Sequence, residues 1–357
     1  MDRLVSSFCE MVRIDSESGN EARFLEYLAN RLTDELDASC EFDAYGNLIA
    51  RVPARESVVS QPILLGTHGD TVKPGVGIEP VIEDGVIRSA GETILGADDK
   101  AGIAEVIEGI LTADRHPRLE LVVTREEELG VRGAKQLDVD RLESRIGFVL
   151  DMDALDAIVI GGPSKMSIDV EITGRAAHAA MEPEKGISAV RVAARAITEL
   201  DEGRIDEGTT VNVGVVRGGE IRNGVPEKAI VQLECRSLSH ETCLAAEGRI
   251  RETFERAAAA YGAELSISTE LSYRASRVPD GSPATTAAAA AVESVGLRPD
   301  VRTIVGGTDA SILNAHGIET VVLGVGMRDE HSTREAIAID AMQTAVRIIR
   351  HLLEQLA

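Results

Sequence analysis

Three short apolar runs, each closing on a polar residue, constrain this chain more than any other feature: PILLGTH at 62–68, LELVVT at 119–124 and IGFVLD at 146–151. They are too short for buried helices and lack the alternation of a half-solvated strand, so they read as strands covered on both faces. Between the first two, Ile103, Val106, Ile107, Ile110 and Leu111 recur at helical spacing, which places a helix directly after GADDKAG. Strands alternating with helices predict an α/β sheet over the first 160 residues.

From about residue 165 the period changes. SKMSIDVEITG puts Met166, Ile168, Val170 and Ile172 on one face of a strand. A helical stretch (187–200), strand-like TTVNVGVV (209–216) and AIVQLECRS (229–237), a helix (240–261) and AELSIS (263–268) follow. The order β-α-β-β-α-β is that of a ferredoxin-like split unit. ETVVLGVG (319–326) then resumes the earlier style. A length of 357 residues exceeds one ordinary core. The expectation is a discontinuous α/β domain, 1–164 and 274–357, carrying an inserted α+β domain at 165–273.

A formal charge of −23 excludes broad contact with nucleic acid, which rests on Lys and Arg neutralising phosphates. Its 60 acidic residues suit a salty cytoplasm, where screening relieves self-repulsion. No apolar stretch approaches the roughly 20 residues of a spanning helix, so no membrane partner is expected. The opening MDRLVSSFCEMVRID reads as an amphipathic helix and not as a leader. Cys9, Cys40, Cys235 and Cys243 form no C-x-x-C pair and read as reduced thiols. A cytoplasmic location is expected.

The polar residues at the strand ends carry the chemistry. His68 and Asp70 follow the first run, Asp98 stands at a helix start, Glu127 and Glu128 follow Thr124, and Asp151 closes the third run. Ligands of open α/β sheets bind beyond the carboxyl ends of the strands. Histidine nitrogen and carboxylate oxygen are the usual non-sulfur ligands of zinc, and a metal histidine normally gives its other N–H to a carboxylate. His68 is thus expected to hold a metal while Asp70 orients its ring.

At this point the chain resembles the M20 family of metallopeptidases, through GTHGDTV, LGADDKAGIA, TREEELGVRGA, LDMD, GRAAHAAMEPEKGISA, GGTDASILNAHGIETVVLGVG and EHSTREAI. GADDKAG, and AHA with PEKG, resemble its peptidase T-like (tripeptidase-like) branch. The resemblance implies a dinuclear zinc-peptidase catalytic domain with the insert as a lid or dimerisation domain. Asp98 would bridge two divalent ions, zinc with cobalt or manganese as alternatives. His68 and Asp151 would complete one ion, and Glu128 and His331 the other. Within EEELG the family register makes Glu127 the general base and leaves Glu126 as an exposed neighbour. His178 would approach the substrate carbonyl, and Asn223 and Arg236 the substrate's carboxylate end or backbone. A cis peptide between Asp98 and Asp99 and a possible homodimer through the insert are also implied. The expected reaction is hydrolysis of an amide bond in short peptides. Deacylation of an N-acyl amino acid uses the same chemistry, and a non-catalytic binding protein is the remaining alternative.

Overall fold

The computed structural model describes residues 2–357; residue 1 of the first expected span lies outside them. The contacts divide the chain into two units, one of the chain up to Gly161 with 277–303 and 308–357, the other of 162–276 with 304–307. The sequence-based limits, 165 and 273, fall within three residues of those around the insert. The short 304–307 segment of the smaller unit has no counterpart in the periodicity.

In the larger unit, α1 (Arg3–Val12) turns Leu4, Phe8 and Met11 inward, and α2 (Ala22–Leu36) does the same with Phe24, Leu25 and Leu28. β1 (Ser39–Phe42) and β2 (Leu48–Val52) form a hairpin. The Asp43 carboxylate holds its turn by accepting the N–H groups of Tyr45, Gly46 and Asn47. β3 (Ile63–His68) is buried along its whole length. A second hairpin, β4 (Pro80–Glu83) and β5 (Val86–Ser89), leads to α3 (Ala97–Thr112). Then come β6 (Leu119–Thr124), also buried throughout, α4 (Arg132–Gln136), β7 (Ile146–Met152) and β8 (Ala157–Gly162). All three apolar runs are strands, and the helix between the first two buries Ile103, Val106, Ile107 and Ile110.

The smaller unit runs β9 (Ser164–Thr173), α5 (Ala189–Glu199), β10 (Gly203–Asp206), β11 (Thr209–Gly218), β12 (Lys228–Ser237), α6 (His240–Tyr261) and β13 (Glu264–Tyr273). Its sheet order is β10-β11-β12-β9-β13, antiparallel throughout. Without β10 this is the ferredoxin-like order; β10 is an added edge strand that the sequence reading lacks. Met166, Ile168, Val170 and Ile172 face the core formed with Val192 and Ala196 of α5 and Ile250 and Phe254 of α6. Ser188 and Ser239 cap the two helices by accepting the N–H of Arg191 and Thr242.

The chain then completes the first unit with β14 (Ser276–Arg277), α7 (Pro283–Ser294), β15 (Asp300–Thr303), α8 (Ala310–Ala315), β16 (Glu319–Gly324), β17 (Met327–Arg328), β18 (Ala336–Ala338) and α9 (Ile339–Gln355). Its main sheet runs β1-β2-β6-β3-β7-β16-β8-β14, with β15 also paired to β8. β6, β3, β7 and β16 are mutually parallel, with His68 opposite Thr124 and Gly66 opposite Val149. Their carboxyl ends therefore share one edge. A smaller sheet, β17-β18-β5-β4, lies in the same unit.

Candidate active site

That edge gathers the polar residues that end or follow β3, β6 and β7. His68 ends β3, and its ring is almost fully enclosed. Its Nε2 lies 2.9 Å from Asp98 Oδ1 and 3.6 Å from Asp151 Oδ1. Asp98 comes from the irregular first residues of α3, where the Asp98–Asp99 peptide is cis. The other oxygen of Asp98 faces a second histidine: His331 Nε2 is 3.1 Å from Asp98 Oδ2 and 2.9 Å from Glu128 Oε1. His331 sits at φ 57°, in a region that non-glycine residues seldom occupy, so its loop is held by its surroundings. One carboxylate thus divides two imidazoles, and His68, Asp98 and Glu128 offer ligand atoms that all lie within 4.8 Å of one another.

The electrostatics are those of acids short of countercharge. The carboxylates of Asp98 and Glu128, which accept hydrogen bonds from its ring, raise His331 to about 11. Burial opposes charge on His68, yet Asp151, Asp70 and Asp98 together raise it well above the ordinary histidine range. Asp98 lies below the usual carboxylate range because His331 and His68 overcome its burial. Burial pushes Asp151 up to about 7. Glu127 is also raised well above its usual range, first by burial and then by Asp151. Two histidines face the carboxylates of Asp98, Asp151 and Glu128, and divalent cations would supply the missing charge. Nitrogen and carboxylate donors shared about one carboxylate fit two such ions.

Asp70 does more than the sequence reading gave it. His68 Nδ1 is 3.1 Å from the Asp70 backbone carbonyl and 3.4 Å from the Asp70 carboxylate. That carboxylate accepts the backbone N–H of Glu127 at 2.9 Å, that of Glu128 at 3.2 Å, and the Ser18 hydroxyl at 2.7 Å. It therefore clamps the β6 loop to the β3 end. The intervening Gly69 is required by packing, since a β-carbon there would meet Leu25 Cδ2 at 2.8 Å.

Glu126 is not the exposed neighbour expected. Its φ is 49°, and its carboxylate accepts the Tyr45 hydroxyl at 2.7 Å and an Arg132 N–H at 3.4 Å. Its backbone N–H is held by Glu21, which also takes Arg125. Asp153, the other aspartate of LDMD, faces Arg302 at 4.0 Å and is about half exposed.

Sequence reasoning missed several supports. Buried Glu335 accepts the N–H groups of Leu95, Gly96 and Asp98, fixing the chain that presents Asp98. Asp309 hydrogen-bonds the Thr124 hydroxyl at the end of β6 and is pushed up to about 6 by burial. HSTRE and GGTDAS contained both residues, but nothing local distinguishes a buried carboxylate from a solvated one.

In the smaller unit His178 and Asn223 come together. The Ala179 N–H donates to the Asn223 carbonyl at 3.0 Å, and His178 bridges Gly224. His178 Nδ1 accepts the N–H groups of Ala180 and Met181, which leaves Nε2 as the donor in the neutral ring. Arg236 is elsewhere. It pairs with Glu234 at 2.8 Å and donates to the Val305 carbonyl, at the far end of β12 from the loops that carry His178 and Asn223. The eight residue steps of strand from Lys228 to Arg236 span about 26 Å.

Comparison with known proteins shows the family of this fold. The family model described as Peptidase dimerisation domain matches residues 161–262, and that of Peptidase family M28 matches 47–201. The solved aminopeptidase PepT of Bacillus cereus is 36% identical, covers 99% of this chain and 98% of its own, and superposes with a TM-score of 0.90. A tripeptidase from Staphylococcus aureus is 32% identical over the same shares, with a TM-score of 0.94. The chain belongs to the peptidase T-like branch of the M20 peptidases. The uncharacterized protein YqjE of Bacillus subtilis strain 168 is 35% identical, over 99% of this chain and 98% of its own length. As an M20 peptidase the protein is a peptide-bond hydrolase, and the strand-end cluster is its candidate active site.

Proposed function

We propose that this M20 peptidase is a dinuclear aminopeptidase of short peptides, in which Asp98 bridges two divalent ions. The observation that carries this is the division of Asp98, one oxygen toward His68 and Asp151, the other toward His331 and Glu128. Bound there, zinc, or cobalt or manganese in its place, supplies Lewis acidity toward a water and the scissile carbonyl. Glu127 takes the proton of the attacking water and returns it to the leaving amine. Its displaced proton affinity, set by burial and Asp151, suits that exchange. Asp70 holds Glu127 and Glu128 in place through their backbone N–H groups. His178 donates its Nε2–H to the developing oxyanion, and Asn223 beside it binds the substrate backbone.

The separation within the smaller unit bears on assembly. A tripeptide reaches roughly 10 Å when extended, well short of the distance from the His178 loops to Arg236. If both contact one substrate, two copies must provide them, and the dimerisation-domain match supports a homodimer through this unit. Arg236 would then bind the peptide carboxylate from one copy and His178 would come from the other.

The four free cysteines, including Cys235 and Cys243 with sulfurs 3.9 Å apart, support a reducing, cytoplasmic setting. Among the described residues no helix is long and apolar enough to cross a membrane. The charge of −23 supports adaptation to high salt.

The test is a hydrolysis panel of tripeptides against N-acetyl and N-succinyl amino acids, with metal content measured on the same preparation. Two ions per chain and turnover of tripeptides are expected. Turnover of the N-acyl compounds alone would replace the peptidase reading with a deacylase.

A further inference from the structure

Among the described residues, Glu127 makes hydrogen bonds through its backbone only. Its N–H donates to Asp70, and its carbonyl accepts the N–H groups of Gly130 and Val131 at 2.8 and 2.7 Å. The direction of its carboxylate therefore depends on how the backbone of this loop is held. That backbone is tightly wound. Glu126 sits at φ 49° and Val131 at φ 54°, in the left-handed region that a β-branched residue seldom enters. Such conformations persist only where the surroundings impose them. Asp70 holds the loop at Glu127 and Glu128. The two residues before them are held by a second buried carboxylate, Glu21, directly ahead of α2.

Glu21 is fully enclosed, and each of its oxygens has two donors. Its Oε1 accepts the N–H of Glu126 at 3.2 Å and that of Gly19 at 2.7 Å. Its Oε2 accepts Nε and Nη2 of Arg125 at 2.9 and 2.8 Å. The Arg125 backbone is fixed as well, its N–H by the Asn47 side chain at 3.0 Å and its carbonyl by the Gly133 N–H at 2.9 Å. The turn that carries Glu21 also reaches the first clamp, because the Ser18 hydroxyl donates to Asp70. One short segment, 18–21, thus supports four consecutive residues, 125–128. We propose that Glu21 is a positioning residue for hydrolysis: through Arg125 and the Glu126 N–H it keeps Glu126 wound, and so aims the Glu127 carboxylate at the attacking water. This rests on the reading of Glu127 as the general base. Glu128 depends on Glu21 less, since its own carboxylate meets His331 at 2.9 Å. Loss of Glu21 should therefore lower turnover without emptying the metal sites.

Tripeptide turnover by the full-length, metal-loaded protein tests this, with metal content and thermal midpoint measured on each preparation. Glu21→Gln is expected to lower kcat about tenfold, less than the roughly 10²-fold that a 1 Å misplacement can cost, with KM and metal content unchanged. An unchanged kcat, or a loss of metal in proportion to kcat, overturns the proposal. Glu21→Gln also leaves Arg125 without its partner, which destabilises the fold. A paired variant, Glu21→Leu with Arg125→Met, buries no unpaired charge, so its thermal midpoint should recover while kcat stays low. Recovery of kcat together with the midpoint would show a merely structural role and overturn the proposal. Should Glu21→Gln fail to fold, the paired variant decides the matter. In a Glu127→Gln background Glu21→Gln should lower kcat no further, because the group it aims is gone; a second tenfold loss there is also a refutation. Full turnover by Glu127→Gln alone would instead break the general-base reading, and the proposal would fall with it.

Discussion

The two units were equally regular in sequence, but they treat charge in opposite ways. Every buried Asp, Glu, Lys and His among the described residues belongs to the larger unit: His68, Asp70, Asp98, Asp99, Lys100 and Glu105 near the strand ends, and others such as Glu120 and Glu335. The smaller unit buries Ser164, Thr209, Ser237 and Thr253 but no charged side chain, and its candidate residues His178, Asn223 and Arg236 are exposed or half-buried. Buried charge opposes folding unless it is paired. Its concentration at one sheet edge therefore marks where stability is sacrificed to chemistry, and its absence from the insert marks a scaffold that presents residues at its surface.

The largest effect that would break this contrast is expected at Asp98. Asp98→Ala should empty both metal sites and abolish turnover, whereas His331→Ala should mainly empty one. Metal analysis showing equal loss in the two variants would refute the bridge. Next comes Glu127→Gln, with metal content retained and kcat lowered roughly 10²-fold or more, as expected for a lost general base. If Glu127→Gln released metal while Glu128→Gln kept it, the two roles would have to be exchanged.

A third measurement concerns pH without metal. The folded-state value of His331 is raised to about 11. Its stabilisation is therefore complete below the unfolded histidine value of about 6.5 and lost as pH climbs through the folded one. Asp98, held low, contributes in the opposite sense, above the ordinary carboxylate range and not below it. Chelated wild type should lose thermal stability between pH 6 and 10 more steeply than chelated His331→Ala; parallel profiles would contradict the assigned contacts. The smallest effect is expected in the insert, where Ile168→Val, in a core without charge, should cost about 0.5–1.5 kcal/mol in denaturant titration. A change of metal content in that variant would show that the insert is not merely a scaffold for the surface residues.

Much of the fold was legible because its periods are local. PILLGTH, LELVVT and IGFVLD all became strands, the first two ending on their polar residues and the third one residue beyond, and the helix at 240–261 agrees residue for residue. β10 was not legible: GRID has one partly buried residue and reads as a loop until β11 pairs with it. Of the site, the residue types at the strand ends could be picked out, but EEE offered three glutamates and LDMD two aspartates with no local means of choosing. Folding separates them by partners, giving Glu126 to Tyr45 and Arg132, Glu128 to His331, Asp151 to His68 and Asp153 to Arg302.

The sequence by itself determined the three central strands, the long helices, the change of period that sets off the insert, and the donor types available for a metal. Those depend on spacing along the chain, which a reader of residues can measure. Only the tertiary structure decided that Asp98 turns one oxygen to a histidine 30 residues away and the other to His331, that Asp70 clamps the Glu127–Glu128 peptides, and that Arg236 stands apart from His178. These follow from sheet register and from which carboxylates are withdrawn from water. Neither quantity exists until distant segments have packed.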